Sequence, residues 1–139
     1  QAGNNLKKVN IGGATIGLTI CYDLRFPELY QGYSKDCQVL LNIANWPERR
    51  VTHWKALIKA RAIENQVFMV GVNRIGKDGN GLQYVASSEI VSPYGEELKG
   101  VSLSEEVAVY EIDLGEVAQY RKEFPVKSDR KITLYKDIL

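Results

Sequence analysis

The chain has 139 residues and a formal net charge of +1, with 45% hydrophobic and 25% charged residues. This length suits one domain, and these fractions are typical of a globular protein in water. The near-zero net charge argues against a nucleic-acid partner, and neither a bilayer-spanning apolar run nor a signal peptide is present in the sequence.

The first elements in chain order are a hairpin and a helix. The stretch "VNIGGATIGLTI" predicts two strands joined at Gly12-Gly13, and the second strand, Ala14 to Ile20, leads directly into Cys21. Pro27 fits the first turn of a helix, because its missing N–H has no partner to lose there. We expect this helix to extend to about Asp36.

The middle of the chain alternates between strand and helix signals. "QVLLNIA" and "QVFMVGVN" are apolar runs of strand length, as expected for strands covered on both faces. Between them, "THWKALIKARAIEN" places apolar residues at helical spacing. This alternation predicts an α/β fold with a layered sheet.

The last third adds shorter signals. "KDGNG" predicts a turn, and both "YVASSEIVSP" and "EVAVYEIDL" predict further strands. Asp113 and Glu116 form a capping-box pattern that opens the helix "GEVAQYRKEF". From Val126 onward the sequence is polar, and we expect a loop that packs on a neighbour.

Three loops follow the predicted buried strands. They carry Cys21-Tyr22-Asp23, Asn45-Trp46-Pro47 and Asn73-Arg74. Because binding sites of open α/β sheets lie beyond the carboxyl ends of the strands, we expect these loops to meet at one site. Trp46 is then either a core residue or a wall of the pocket.

Cys21 has two readings. As a nucleophile it would need help in forming a thiolate, and backbone N–H groups of the following turn supply such help. The N–H of Tyr22 is placed to hold an oxyanion. Alternatively, Cys21 is a small buried apolar residue, as we expect for Cys37. A disulfide between the two requires Cα atoms within about 7 Å, and two free thiols are typical of a reducing, cytoplasmic setting.

Other polar residues near these loops also have two readings. His53 is either the base of a Cys–His pair or a structural residue, and as a lone histidine it offers no zinc-finger spacing. Asp23, Arg25 and Glu28 either cap the helix and pair with each other or belong to the site. Arg49-Arg50 is either a solvated pair or a source of positive charge for an acidic substrate.

Taken together, these motifs resemble a known family. "GLTICYDLRFPELY" closely resembles the nucleophile segment of the nitrilase superfamily, the carbon–nitrogen hydrolases. The resemblance continues in order through "NIANWP", "HWKALIKARAIENQVFMVGVNRIG", "SSEIVSPYGE" and "YRKEFPV", so it spans nearly the whole chain. Within the superfamily, "NWP" and "GKDGNGLQY" are most similar to omega-amidases, which release ammonia from the ω-amide of short 2-oxo acid amides.

The resemblance implies a fold, a chemistry and an assembly. The fold is a four-layer α-β-β-α sandwich, which assembles as a homo-oligomer, and the substrate is a small amide. The family uses a glutamate, a lysine and a cysteine without metal or organic cofactor. Cys21 matches the nucleophile, the Tyr22 N–H matches the oxyanion donor, and Asn45 and Trp46 match the substrate-binding loop.

The chain departs from the family pattern at its start. In the family the glutamate and the lysine lie upstream of the cysteine, whereas only twenty residues precede Cys21, and Lys7 and Lys8 are too close to it to match that lysine. We therefore expect residues 1–139 to form the carboxy-terminal part of a carbon–nitrogen hydrolase domain. An amino-terminal segment or chain would supply both residues, and without it the sheet should have an exposed edge.

Overall fold

The structure is a computed structural model that describes residues 3–104 and 106–136. One five-stranded mixed sheet, in the spatial order β1-β2-β3-β4-β7, organises the chain, and two two-stranded sheets flank it. Within the described residues no helix is long and apolar enough to cross a membrane. The strands are β1 Lys8–Ile11, β2 Ala14–Ile20, β3 Val39–Ala44, β4 Phe68–Asn73, β5 Gly76–Lys77, β6 Gln83–Tyr84, β7 Glu89–Val91, β8 Val101–Ser102 and β9 Ala108–Val109. The α-helices are α1 Pro27–Tyr33, α2 Val51–Asn65, α3 Gly115–Glu123 and α4 Ile132–Lys136.

The predicted buried strands form the centre of the sheet. β2, β3 and β4 are parallel neighbours, while β1 and β7 pair antiparallel on the two outer sides. The β1–β2 hairpin turns at Gly12 and Gly13, whose φ angles of 57° and 83° lie in the left-handed region that glycine adopts without steric cost. The hairpin, the three central strands and the α/β class are as predicted.

One face of the sheet is covered by α1 and α2. Trp54, Ile58 and Ala62 of α2 are fully buried and pack in one cluster with Leu40 and Met69 of the sheet. Their spacing of three or four residues places them on one side of the helix, which is the pattern that predicted it. This cluster is the main core of the described chain.

The opposite face is covered at one end only. Val117 of α3 packs on Val39 and Phe68 near the start of the strands. At the carboxyl ends, Ile20, Ile43 and Val72 stand side by side in register and are 64%, 49% and 44% exposed. The sequence predicted an exposed sheet edge. The structure also leaves an apolar face of the sheet uncovered at the carboxyl ends of its strands.

Two predicted strands are much shorter than expected. The predicted strand "YVASSEIVSP" is interrupted: Tyr84 ends β6 and Glu89–Val91 form β7. Between them, Ser87 accepts hydrogen bonds from Trp54 Nε1 at its carbonyl oxygen and from Asn73 Nδ2 at its hydroxyl. In "EVAVYEIDL", only Ala108–Val109 pairs with another strand, β8.

The second half of the predicted helix 27–36 and the tail also differ from expectation. α1 ends at Tyr33, and residues 34–36 form a turn. The tail is not the expected loop: it forms a short 3₁₀ segment, Val126–Asp129, and α4, and it contacts the end of α1 in the same chain. Lys127 donates to Ser34 O at 2.6 Å, and burial lowers the pKa of Lys127 to about 8.

At α3, the Asp113 carboxylate accepts from the Gly115 N–H at 2.8 Å, whereas the predicted reciprocal cap with Glu116 is not among the described hydrogen bonds.

Candidate active site

The carboxyl ends of the parallel strands bring the predicted site residues together. Cys21 follows β2, and Asn45 and Trp46 follow β3 one strand away. They border a single open cavity of about 380 Å³. Its lining consists of Cys21, Tyr22, Arg25, Asn45, Trp46, Pro47 and Arg50.

Cys21 opens a 3₁₀ turn, Cys21–Arg25, in a strained backbone conformation. Its φ of 46° lies in the left-handed region, where a residue with a side chain costs about 1–3 kcal/mol unless the surroundings impose it. Cys21 is partly buried, packs against the main core cluster, is not in a disulfide and lines the cavity. Asp23 closes the start of the turn, since its Oδ2 accepts from the Ile20 N–H at 2.9 Å.

Trp46 is both a core residue and a wall of the cavity. Its indole Nε1 donates to Arg50 O at 2.7 Å, and its ring lies 5.5 Å from the ring of Trp54. Asn73 fixes the same loop from β4: its Oδ1 accepts from the Trp46 N–H at 2.7 Å, and its Nδ2 donates to Trp46 O at 2.9 Å. Both readings of Trp46 therefore hold at once.

The charged groups of the cavity lining are cations. The Arg25 guanidinium lies 4.8 Å from the Trp46 ring centroid and 5.9 Å from that of Tyr22. Arg50 contributes the second positive charge, and the lining residues include no carboxylate. The predicted pairing among Asp23, Arg25 and Glu28 is wrong for the described chain, where these residues form no ion pair with each other. Aromatic rings hold Arg25 instead.

The sequence predicted the turn of a short hairpin, but not the two strands of the hairpin, β5 and β6. Tyr84 of β6 is buried, its hydroxyl donates to Asp78 Oδ2 at 2.9 Å, and the Arg74 guanidinium lies 4.7 Å from its ring centroid. The hydrogen bond to Asp78 is the main cause that raises the pKa of Tyr84, and burial acts in the same direction. The turn signal "KDGNG" predicted the turn of this hairpin, but it could not show that Tyr84 bonds to Asp78 and packs on Arg74.

Other candidates lie away from the cavity. His53 is exposed on α2 and does not line it. Cys37 is fully buried, burial raises the pKa of its thiol, and it forms no disulfide. Within the described ranges, no group of three His, Cys, Asp or Glu side chains is arranged to hold a metal ion.

The fold and the cavity define an α/β protein whose candidate site is built around a cysteine at a strand end. Residues 1–122 match the carbon-nitrogen hydrolase family, and the chain belongs to that family.

Its relatives include amidases and solved structures with the same fold. The chain is 38% identical over 130 residues to the omega-amidase YafV of Escherichia coli (strain K12), covering 93% of this chain and 50% of the relative. It is 37% identical over 136 residues to the 2-oxoglutaramate amidase of Bacillus subtilis (strain 168), covering 97% and 52%. The crystal structure of XC1258 from Xanthomonas campestris, a CN-hydrolase superfamily protein, superposes with a TM-score of 0.84 at 34% identity and covers 94% of this chain and 52% of that one. The chain thus spans about half the length of the curated relatives it matches, and its fold is that of the nitrilase superfamily.

Proposed function

We propose that this chain carries the nucleophile of an amidase that hydrolyses the ω-amide of a small 2-oxo acid. The observation that carries the proposal is the placement of Cys21: it lies on a strained turn, at the carboxyl end of a central strand, and lines an open cavity. The two amidases reported above support the choice of substrate class.

The proposed reaction has two stages. The Cys21 Sγ attacks the amide carbon, and the Tyr22 N–H helps to hold the resulting oxyanion. Collapse of this intermediate breaks the C–N bond, so that ammonia leaves with a proton from a general acid and a thioester remains on Cys21. Water then cleaves the thioester, returning the thiol and releasing the acid.

The cations of the cavity suit a substrate that carries a carboxylate. We propose that Asn45 and Trp46 wall the substrate and that Arg25 or Arg50 balances its charge. Because Arg25 lies against two aromatic rings, its guanidinium is held in place before the substrate arrives. An amide without a carboxylate gains nothing from these residues.

The remaining catalytic groups would come from a second segment. We propose that the chain is the carboxy-terminal part of the domain, and that an amino-terminal segment or chain supplies the glutamate and the lysine. The row of Ile20, Ile43 and Val72 supports this proposal, since an apolar sheet face of this kind requires a cover. The half-length match to the relatives agrees with it. A homo-oligomer and a cytoplasmic location stay predictions.

Ammonia release tests the proposed function. The chain alone, and the chain with an amino-terminal segment of the same protein, are incubated with 2-oxoglutaramate and with an uncharged amide of similar length. We expect release only from 2-oxoglutaramate and only with both parts present, and none from Cys21→Ala. Clear turnover by the chain alone would refute the need for the second segment. Loss of activity in His53→Ala would favour a Cys–His mechanism.

Two alternatives would give different results. A sister activity within the family, on nitriles, N-carbamoyl compounds or the amide of deaminated glutathione, would show turnover with those compounds and not with 2-oxoglutaramate. A non-catalytic assembly fragment would show none with any of them, and its Cys21 would react sluggishly with alkylating reagents.

A further inference from the structure

The strained backbone at Cys21 needs an external restraint. Among the described residues, Cys21 and Gln66 are the two non-glycine residues with positive φ, and Gln66 occupies the C-terminal cap of α2, where this conformation is common. Cys21 has no such role. A conformation that costs about 1–3 kcal/mol persists only where the surroundings impose it.

The contacts of Asp23 hold the start of the turn but do not reach its middle, at Leu24. Asp23 accepts from the Ile20 N–H, and the Phe26 N–H donates to Asp23 O at 3.0 Å. The first contact ties the start of the turn to Ile20, the last residue of β2, and Arg25 packs on the Trp46 ring at its end. The middle of the turn, at Leu24, is held from another element.

Arg61 of α2 supplies this restraint. Its Nε and Nη2 donate to the same acceptor, Leu24 O, at 3.1 Å and 2.9 Å, across 37 residues of sequence. Arg61 is 5% exposed and Leu24 is fully buried, so water does not compete for these hydrogen bonds. The third nitrogen, Nη1, donates to Glu64 Oε1 at 3.0 Å, which fixes the guanidinium on its own helix.

The same guanidinium also contacts the neighbouring polar network. It lies 5.4 Å from the ring centroid of Tyr30, whose hydroxyl bonds to Thr19 Oγ1 at 2.8 Å and accepts from Asn42 Nδ2 at 3.1 Å. Thr19 stands two residues before Cys21 on β2. Arg61 therefore contacts the turn after the thiol directly and, through Tyr30, the strand before it.

We propose that Arg61 is a positioning residue that holds the Cys21–Arg25 turn, so that the Cys21 thiol and the Tyr22 N–H face the cavity together. The proposal rests on the proposed function, in which both groups act on one carbonyl. A lysine at this position keeps a charged donor but loses the second hydrogen bond to Leu24 O. A methionine loses both.

The test measures the rate constant for alkylation of Cys21 by iodoacetamide in the 139-residue chain carrying Cys37→Ser, so that one thiol reacts. We expect Arg61→Met to lower this rate about tenfold, the equivalent of about 1.4 kcal/mol, and Arg61→Lys to lower it about threefold. Val117→Ala, which destabilises the second core cluster without contacting the turn, serves as the matched control and leaves the rate unchanged. Circular dichroism checks that each variant is folded.

The outcomes separate this proposal from the proposed function. If the chain with Arg61 intact reacts no faster than free cysteine even when the amino-terminal segment is added, the proposed function fails, whatever the variants do. If Cys21 reacts fast in the chain with Arg61 intact, and its rate in Arg61→Met is within twofold of that rate or higher, the positioning role alone is refuted. An equal loss of alkylation rate in Val117→Ala also refutes the positioning role, because the lower rate would then reflect a general loss of stability. Should Arg61→Met not fold, an unchanged rate in Arg61→Lys overturns the proposal.

Discussion

Replacing Glu89 should change how the stability of the chain depends on pH. Glu89 of β7 is 6% exposed, and its Oε1 has no hydrogen-bond partner. Burial, followed by the nearby charge of Glu97, raises the pKa of Glu89 to about 7, and the charges of Lys55 and Lys59 on α2 act in the opposite direction. The carboxyl group is therefore protonated in the folded chain under conditions where it is ionised in the unfolded chain.

The sign and size of the effect follow from linkage. Between pH 4.5, the ordinary pKa of a glutamate, and about pH 7, Glu89 keeps its proton in the folded chain but has released it in the unfolded chain. The free energy of unfolding therefore falls as the pH rises through this range. A difference of this size corresponds to about 3 kcal/mol. Because glutamine does not titrate, Glu89→Gln should remove this loss.

Urea unfolding at pH 4 and pH 8 measures this effect. At each pH the free energy of unfolding of the parent chain is subtracted from that of Glu89→Gln. We expect this difference to be about 3 kcal/mol larger at pH 8 than at pH 4. Glu97→Gln, which removes the second cause of the raised pKa, should give a smaller difference of the same sign. If Glu89→Gln and the parent chain lose stability in parallel over this range, the assigned environment of Glu89 is wrong.

Two further substitutions test the core and the uncovered face. Gly71→Ala would place a methyl group 2.8 Å from the side chains of Trp54 and Ile58, so we expect a loss of about 1–3 kcal/mol by urea unfolding, and an unchanged value would contradict the described packing. Ile43→Lys lies at a half-exposed position, so its free energy of unfolding should stay within about 0.5 kcal/mol of that of the parent chain. The same substitution should weaken binding of an amino-terminal segment at least tenfold, as measured by calorimetry. Ile132→Lys on α4 is its control, and equal weakening by both would argue against the sheet face as the binding surface.

The central part of the fold could be predicted from the sequence because its signals are local. The apolar run Val39–Ala44, the spacing of Trp54 and Ile58, and the Gly12-Gly13 turn each specify one element without reference to the rest of the chain. The order of these elements then places Cys21 and Asn45 at neighbouring strand ends.

The missed features depend on contacts between distant residues. The alternation of Glu106–Leu114 is that of a strand, but a strand needs a partner, and only Ala108–Val109 finds one. Arg61 reads as a polar residue of an amphipathic helix, and nothing in its neighbourhood shows that it donates to Leu24 O. Arg25 likewise sits among acids in the sequence but lies on aromatic rings in the structure.

Substrate protection of the Cys21 thiol tests the central claim most directly. The chain, together with the proposed amino-terminal segment, is treated briefly with iodoacetamide in the presence and absence of a 2-oxo acid ω-amide, and the labelled fraction of the Cys21 peptide is measured by mass spectrometry. We predict rapid labelling of Cys21 that the amide suppresses, while buried Cys37 stays unlabelled. Slow labelling of Cys21, or labelling that the amide does not change, would contradict the account.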